Sequence, residues 1–595
     1  MANRDRAESG SSSQKLTAFA QRRSSFMGGS NSAKERATSF SFHNDSSMSN
    51  TESLKKRNIR ASISKFGRTQ NLGEVAPPPL ELLDLGYSAD EEKAAYTAFV
   101  EKYPDFPALD SLRASDYGQL DSRVDLETGL DKLPEIYLDY TGAMQTGRSH
   151  VYKATELVTG LPLGNPHSSS QTSSLATKWV QRAEQAVLAH MNTDSNEYYV
   201  IWTPNASGAC RLVAEWFDFG PPGSGAACAI CQDNHNSVHG IREEAILKGA
   251  EVVYTPIKPD TLHMDSDATA RVLSGDFSAA GCRTGAKPPG ALGCLAGATG
   301  QRGGTGKKLF AYPLQSNVSG VKHNLDWIQY AHERDWLVFA DAAAFMPTNF
   351  LDLSKVKPDF VSMSFYKIFG HPTGVGALLV RHEAAQHLVR KKGWFAGGTI
   401  AFNSAMGFGA NRHLAHEMAP GKDKFEEGTV NFSNFLGVYT GLEYMRKINE
   451  TGHLFRKLVG VDVEEVEPHN TGNDMVAVQR RVRQLTDYLL SELSEIKYPF
   501  SEQPLVKIYG RSLLDDHKRG GTIPLNVMTA SGQTCGTAWW KSWPTSTTFP
   551  SELVAFAILA CTKPILKWGS LTTRRCSKKC RRSCGRWTPR TRSGR

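Results

Sequence analysis

The nine residues Ser362–Gly370, reading Ser-Met-Ser-Phe-Tyr-Lys-Ile-Phe-Gly, set the narrowest limits on what this chain can become. Ahead of Lys367, Phe360–Phe365 alternates apolar and small polar residues, the period-2 pattern of a strand. The pattern predicts a strand running to Lys367, because Gly370, Pro372 and Gly374 then interrupt regular structure. A lysine at the mouth of an apolar strand is poorly solvated. That disfavours its ammonium form and leaves a nucleophilic amine suited to Schiff-base chemistry with a carbonyl compound. A lysine whose stem covers apolar surface while its head reaches water fits this nonapeptide equally well.

Upstream, the apolar run Trp336–Ala344 contains a single acid, Asp341. An acid at the carboxyl end of a central parallel strand points into the crevice where open α/β sheets bind ligands. Capping a helix that starts at Ala342 is the alternative. Asp341 and Lys367 lie 26 residues apart on successive strand ends, so one crevice can receive both.

Eight segments in order extend the pattern: Tyr137–Ala143, Gly164–Ser168, Trp202–Gly208, Asp233–Ser237, Tyr312–Gly320, Asp341–Ala343, Ser364–Gly370 and Phe425–Thr429. Over about residues 131 to 530 they resemble class V pyridoxal phosphate (PLP)-dependent enzymes, and in particular the amino-terminal, cysteine-desulfurase-like domain of molybdenum cofactor sulfurases. The resemblance implies an α/β fold of the aspartate-aminotransferase-like, fold type I kind. Its large domain would hold a mostly parallel sheet, followed by a small C-terminal α/β domain. It implies PLP as cofactor, with Lys367 as the Schiff-base lysine, Asp341 keeping the pyridine nitrogen protonated, and His235 stacked on the ring and moving protons.

By the same resemblance Ala206 and Ser207 hold the cofactor phosphate at the turn opening a helix, where free N–H groups favour anions. Ser364 and Tyr366 join them, and Asn317 reaches the phenolic oxygen or the substrate. The Gly397-Gly398-Thr399 loop would bring Thr399 to the phosphate of a neighbouring subunit, implying a homodimer. The chain departs from the family at three places: Asn205 stands where a glycine is common, Tyr366 where desulfurases have histidine, and Ala344 where they have glutamine. The implied reaction is removal of sulfur from L-cysteine, with the acceptor unnamed. Another class V lyase or transaminase reaction, or a PLP-binding protein without turnover, stays open.

Composition narrows the partners. The net charge is +9, yet residues 562–595 hold twelve Lys/Arg and no Asp/Glu, and residues 1–75 hold thirteen basic against six acidic residues. The middle is therefore acidic, about −10, which gives no warrant for a nucleic-acid-binding fold. No apolar run approaches the roughly 20 residues that span a bilayer, and Met1–Arg6 lacks the apolar segment of a secretory signal. Ten cysteines in 595 residues suit free thiols in a reducing compartment, so a cytoplasmic location is expected.

Along the chain, residues 1–75 are rich in Ser, Arg, Asn and Gly without periodicity and are expected to be disordered. Residues 76–130 should form a helical arm on the catalytic body, with a helix around Asp90–Lys102. Residues 131–430 should be the PLP-binding domain, with a Gly/Ala-rich surface insert at 266–308, and 431–534 the small domain. A helix over Ser173–Asn192 carries Leu175, Trp179, Ala183, Val187 and Met191 at a four-residue spacing, a core stripe. Cys228-Ala-Ile-Cys231 lacks a second ligand pair and reads as buried strand, so no metal site is expected. Gly303–Lys308 fails the phosphate-loop pattern, since Lys308 stands where Ser or Thr is required.

From about residue 533 the family pattern stops, and residues 535–595 read as an irregular basic tail. The family would next carry a Gly-Cys-Phe-Cys-Asn-Pro-Gly loop with the sulfur-accepting cysteine. One choice of codons for Leu553–Ala560 encodes that loop in another frame, so a frameshift after about residue 533 is expected. A genuine alternative terminus, with Cys576, Cys580 and Cys584 as metal ligands, is the competing reading. The chain as written is expected to bind PLP poorly or misfold, and to make no alanine from cysteine. Sequencing the transcript across the codons for residues 525–565 should show the shift; a confirmed printed frame with robust desulfurase activity ends the idea.

Overall fold

The computed structural model describes residues 89–122, 129, 137–284, 305–389, 394–408, 413–458, 475–498, 502–510, 518–529, 531–534 and 555–557. The expected disorder of 1–75 and most of the basic tail lie outside these residues.

Eight strands build the main sheet: β1 (Tyr198–Thr203), β2 (Ala227–Cys231), β3 (Glu251–Thr255), β4 (Cys282–Thr284), β5 (Lys308–Pro313), β6 (Trp336–Asp341), β7 (Phe360–Ser364) and β8 (Gly376–Arg381). Their spatial order is β1-β8-β7-β6-β5-β2-β3-β4. Neighbours from β7 through β3 are parallel. β8 runs antiparallel to both β1 and β7, so β1 shares the direction of the parallel set. This is the expected α/β architecture.

The strand sequences are near-continuous apolar runs because both faces are covered. Alternate residues go to two different cores. Val200, Ala229, Phe310, Val338, Val361 and Leu379 face one. Ile201, Ile230, Leu309, Phe339, Phe360 and Leu378 face the other.

Several expectations are corrected. The strand ahead of Lys367 stops at Ser364, and Lys367 sits in the one-turn helix Tyr366–Phe369. Phe365 already has helical backbone angles (φ −71°, ψ −32°), so the chain turns before the lysine. The helix expected at Ser173–Asn192 spans Gln171–His190 and buries Ala176, Val180, Ala183 and Val187. Leu175 and Trp179 lie at the edge of that stripe, where Trp179 meets the Tyr439 ring edge-on.

The stretch 266–308 is not wholly a surface excursion. Helix Ser266–Leu273 buries Thr269, Val272 and Leu273, and β4 extends the sheet edge antiparallel to β3. Residues 285–304 are outside the described set. Lys308 heads β5 and donates to the Arg334 carbonyl, so a strand, not a helix, follows Lys307. Cys228 and Cys231 are wholly buried, and burial pushes both thiols up to about 12, which leaves them protonated and unfit as thiolate ligands.

The arm helix Ala89–Lys102 packs through Phe99 against Phe106, in the arm itself, and against Tyr488 of helix Val476–Glu495. Arg481 of helix Val476–Glu495 ties the arm down through Asp110 and the Phe106 carbonyl, each at 2.8 Å. Val506–Ile508 and Thr522–Val527 form a small sheet. Ala555–Ala557, inside the stretch read as irregular tail, adds a third antiparallel strand to it.

Candidate active site

Because β1, β2, β5, β6 and β7 run the same way, their carboxyl ends share one edge of the sheet. That edge is where open α/β sheets bind ligands. β1 leads to Ala206 and Ser207, β2 to His235, β5 to Asn317, β6 ends on Asp341, and β7 leads to Lys367.

Lys367 is half-buried, and loss of solvation lowers its amine below the usual lysine value; the carboxylates of Asp341 and Asp139 act the other way. Its ammonium has no hydrogen-bond or ion-pair partner among the described residues. The turn that carries it is held rigidly. Gly370 closes it with φ +83°, and a Cβ there would meet Thr146 Oγ1 at 2.7 Å. From the other side helix Phe435–Leu458 presses Gly441 onto the Phe369 ring, where a Cβ would come within 2.4 Å.

Asp341 is buried, and one carboxylate oxygen is fixed. Oδ1 accepts from the Ser362 hydroxyl at 2.9 Å and from the Ala343 amide at 3.1 Å. Ser362 is its register partner on β7. Oδ2 has no partner among the described residues.

His235 opens the short helix Asn236–His239 and lies exposed on the crevice wall. Its Nδ1 accepts from the Ser237 amide at 3.1 Å. An amide can only donate, so the neutral ring carries its proton on Nε2. Partial burial lowers its pKa; Asp341 raises it and Lys367 lowers it further. The three groups therefore sense one another's charge.

The helix Ala206–Trp216 starts beside them. Asn205 caps it, accepting from the Gly208 amide, with an extended φ of −176° that any residue adopts. Asparagine thus serves where a glycine is common. The Ala206 amide donates to Ser364 Oγ at 2.8 Å, and Ser207 Oγ meets Ser237 Oγ at 2.6 Å. The Ser207 amide keeps its N–H without a partner among the described residues. Gly376 permits this approach: a Cβ on it would lie 2.6 Å from Asn205 Cα and from the Met363 carbonyl oxygen.

Residues 304–453 match the family described as aminotransferase class-V, and these include β5 to β8 with Asn317, Asp341 and Lys367. This chain carries a class-V aminotransferase domain. The molybdenum cofactor sulfurase of Drosophila pseudoobscura pseudoobscura is 33% identical over 419 residues, 69% of this chain and 47% of the fly protein. The Homo sapiens molybdenum cofactor sulfurase is 30% identical over 414 residues, 67% of this chain and 40% of the human protein. The chain therefore spans less than half the length of these curated relatives. The apo cysteine desulfurase of Thermococcus onnurineus NA1 shares the fold, with a TM-score of 0.50 at 18% identity over 70% of this chain and 82% of that one.

The groups that the class-V domain leaves open fit PLP: an unpaired half-buried amine, a buried carboxylate oxygen, an outward imidazole N–H and a free N–H at a helix start. Tyr366 is half-buried beside Lys367, and burial raises its phenol. Thr399 does not take the place expected for it. It is fully buried, and its hydroxyl donates to the Ala396 carbonyl and accepts from the Ala396 amide within its own loop. The sequence reading missed Ser362 and Asp233. Ser362 was detectable, since the alternation of β7 puts it on the same face as Ser364. Asp233 has no such signal, because its partners lie more than eighty residues away.

Proposed function

We propose that the class-V domain holds PLP on Lys367 and removes sulfur from L-cysteine, leaving alanine and passing the sulfur to an acceptor thiol as a persulfide. The change balances without an outside oxidant or reductant. The substrate's Cβ gains a hydrogen in place of its C–S bond, and the acceptor sulfur exchanges its S–H for S–SH. The observation that carries this reading is the unpartnered Lys367 amine in a crevice shared with Asp341 and His235. Molybdenum cofactor sulfurases as relatives favour cysteine as the substrate.

Bound PLP supplies an electron sink for charge developing at the substrate Cα. Asp341 is positioned for this: Ser362 and the Ala343 amide fix Oδ1, leaving Oδ2 to meet a protonated ring nitrogen. The Ser207 amide, at a helix start, would hold the phosphate, and the Ser207 and Ser364 hydroxyls and Tyr366 would assist it. Lys367, held below its usual pKa by burial, would offer a neutral amine, and His235 would hold a proton at Nε2 and be able to donate it there.

Residues 206–376 supply these groups, so, in place of the poor PLP binding expected from the tail, the 595-residue chain should take up PLP, while sulfur transfer still needs an acceptor cysteine. The test loads the 595-residue chain, and the same chain with the frame restored after residue 533, with PLP and L-cysteine plus a reductant. Alanine is expected from the restored form and should depend on a loop cysteine. A keto acid product would favour a transaminase, and no turnover from either form a PLP-binding role.

The pH dependence has a definite sign. The His235 pKa is lowered from its ordinary value of about 6.5, so the neutral ring persists as pH falls through that value. The acid limb of substrate Cα–H exchange with solvent should therefore lie below about pH 6.5 and flatten in His235→Gln. A limb at or above that pH removes His235 from the role.

A homodimer belongs to the same proposal. The hairpin Ile400–Phe408/His413–Met418, just after Thr399, exposes Met406 (88%) and Leu414 (79%), apolar surface that a second copy would cover. A cytoplasmic location is part of the same proposal, resting on the sequence reading of its ten cysteines. Among the described residues no helix is long and apolar enough to cross a membrane.

A further inference from the structure

Behind His235 lies a carboxylate that the reaction above does not use. Asp233 leaves β2 two residues ahead of His235, and its side chain is only 10% exposed. Two hydroxyls converge on it: Ser316 Oγ donates to Oδ1 at 2.9 Å and Ser319 Oγ to Oδ2 at 3.2 Å. The buried His323 ring brings Nε2 to 3.5 Å from Oδ2. Its Nδ1 accepts from the Met264 amide at 3.4 Å, so the neutral ring carries its proton on Nε2, which makes no hydrogen bond among the described residues.

The two serines bracket Asn317. Ser316 Oγ accepts the amides of Val318 and Ser319, and Ser319 Oγ accepts the Val321 amide. The serine hydroxyls thus fix the turn's own backbone and anchor it to Asp233. Asn317 is half-buried, with no side-chain partner among the described residues. The exits of β2 and β5, adjacent parallel strands, are joined across the crevice floor by this one carboxylate.

We propose that Asp233 is a positioning residue that holds the Asn317-bearing turn in register with His235, so that Asn317 and His235 meet PLP together. This rests on the PLP reading above. Asp233 touches neither cofactor nor substrate and acts through Ser316 and Ser319. A buried carboxylate suits this work because it accepts both hydroxyls at once, leaving each serine's oxygen free to accept backbone amides.

The test uses the full chain with and without PLP. Without PLP, amide hydrogen exchange at Val318, Ser319 and Val321 should speed up at least tenfold in Asp233→Ala and in the milder Ser319→Ala, with the β-sheet amides unchanged. With PLP, the pH midpoint of the bound cofactor's visible absorption should rise by about one unit. That is the size of one lost hydrogen bond to an ionised oxygen. Asn317→Ala should give the same rise, and Asp233→Ala added to it should give no more.

Faster exchange with an unmoved midpoint overturns the proposal, as does unchanged exchange in Ser319→Ala or full additivity with Asn317→Ala. A wild-type chain that takes up no PLP while exchange still responds to Asp233→Ala overturns the cofactor reading and this proposal with it. That outcome is distinguishable because the turn itself would still be seen to be clamped.

Discussion

Lys367→Ala is expected to leave the protein folded and colourless, with no borohydride-reducible adduct between PLP and the chain. Wild type should be yellow and give one adduct, on the peptide containing Lys367. The side chain makes no hydrogen bond or ion pair among the described residues. The turn around it is fixed instead by Ile368, Phe369 and Gly370, which are buried against the core and Thr146. Truncation therefore removes a half-buried amine and costs little stability; relieving its desolvation tends to offset the lost packing. Substrate Cα–H exchange should fall by about a thousandfold or more, as expected when a covalent and proton-moving group is lost together. A colourless wild type that takes up no added PLP would sink the whole reading. An adduct surviving in Lys367→Ala would move the chemistry to another lysine.

Asp341→Ala should bind PLP and yet lose about a hundredfold to a thousandfold in substrate Cα–H exchange, the scale of removing one preorganised electrostatic group. Without its carboxylate the ring nitrogen has no anion to hold its proton, and charge at the substrate Cα is no longer drawn away. Asp341→Asn keeps the shape and an acceptor for Ser362, so it separates charge from packing and should lose nearly as much. Ser362→Ala leaves Oδ1 with the Ala343 amide alone, keeps the charge and should lose less. Unchanged exchange in Asp341→Asn would take Asp341 out of this role.

How much of the site could be read in advance depends on the distance in sequence between a group and what fixes it. The strand calls for Trp336–Asp341 and Ala227–Cys231 follow from local patterning, since a strand covered on both faces is apolar throughout. The order of the motifs along the chain also carried Asp341 and Lys367 to one edge, because parallel strands must all exit the same way. The end of β7 was misplaced by three residues, because Phe365 looks like a strand residue, yet takes helical angles where the chain turns at the end of the sheet. Thr399 was misread for a similar reason. Its loop sequence suits an outward turn, but the hydroxyl closes on Ala396 inside its own protomer.

By itself, then, the sequence determined the class of fold, because residue type and local period set which stretches become strands covered on both faces. Only the tertiary structure decided that Ser362 fixes one oxygen of Asp341, that Ser237 sets the tautomer of His235, and that Asp233 joins the exits of β2 and β5. It also showed that the arm's helix docks on Val476–Glu495. Except for Ser237, these contacts join segments from about twenty to several hundred residues apart. Closing such loops is governed by the packing of the whole core rather than by any local preference.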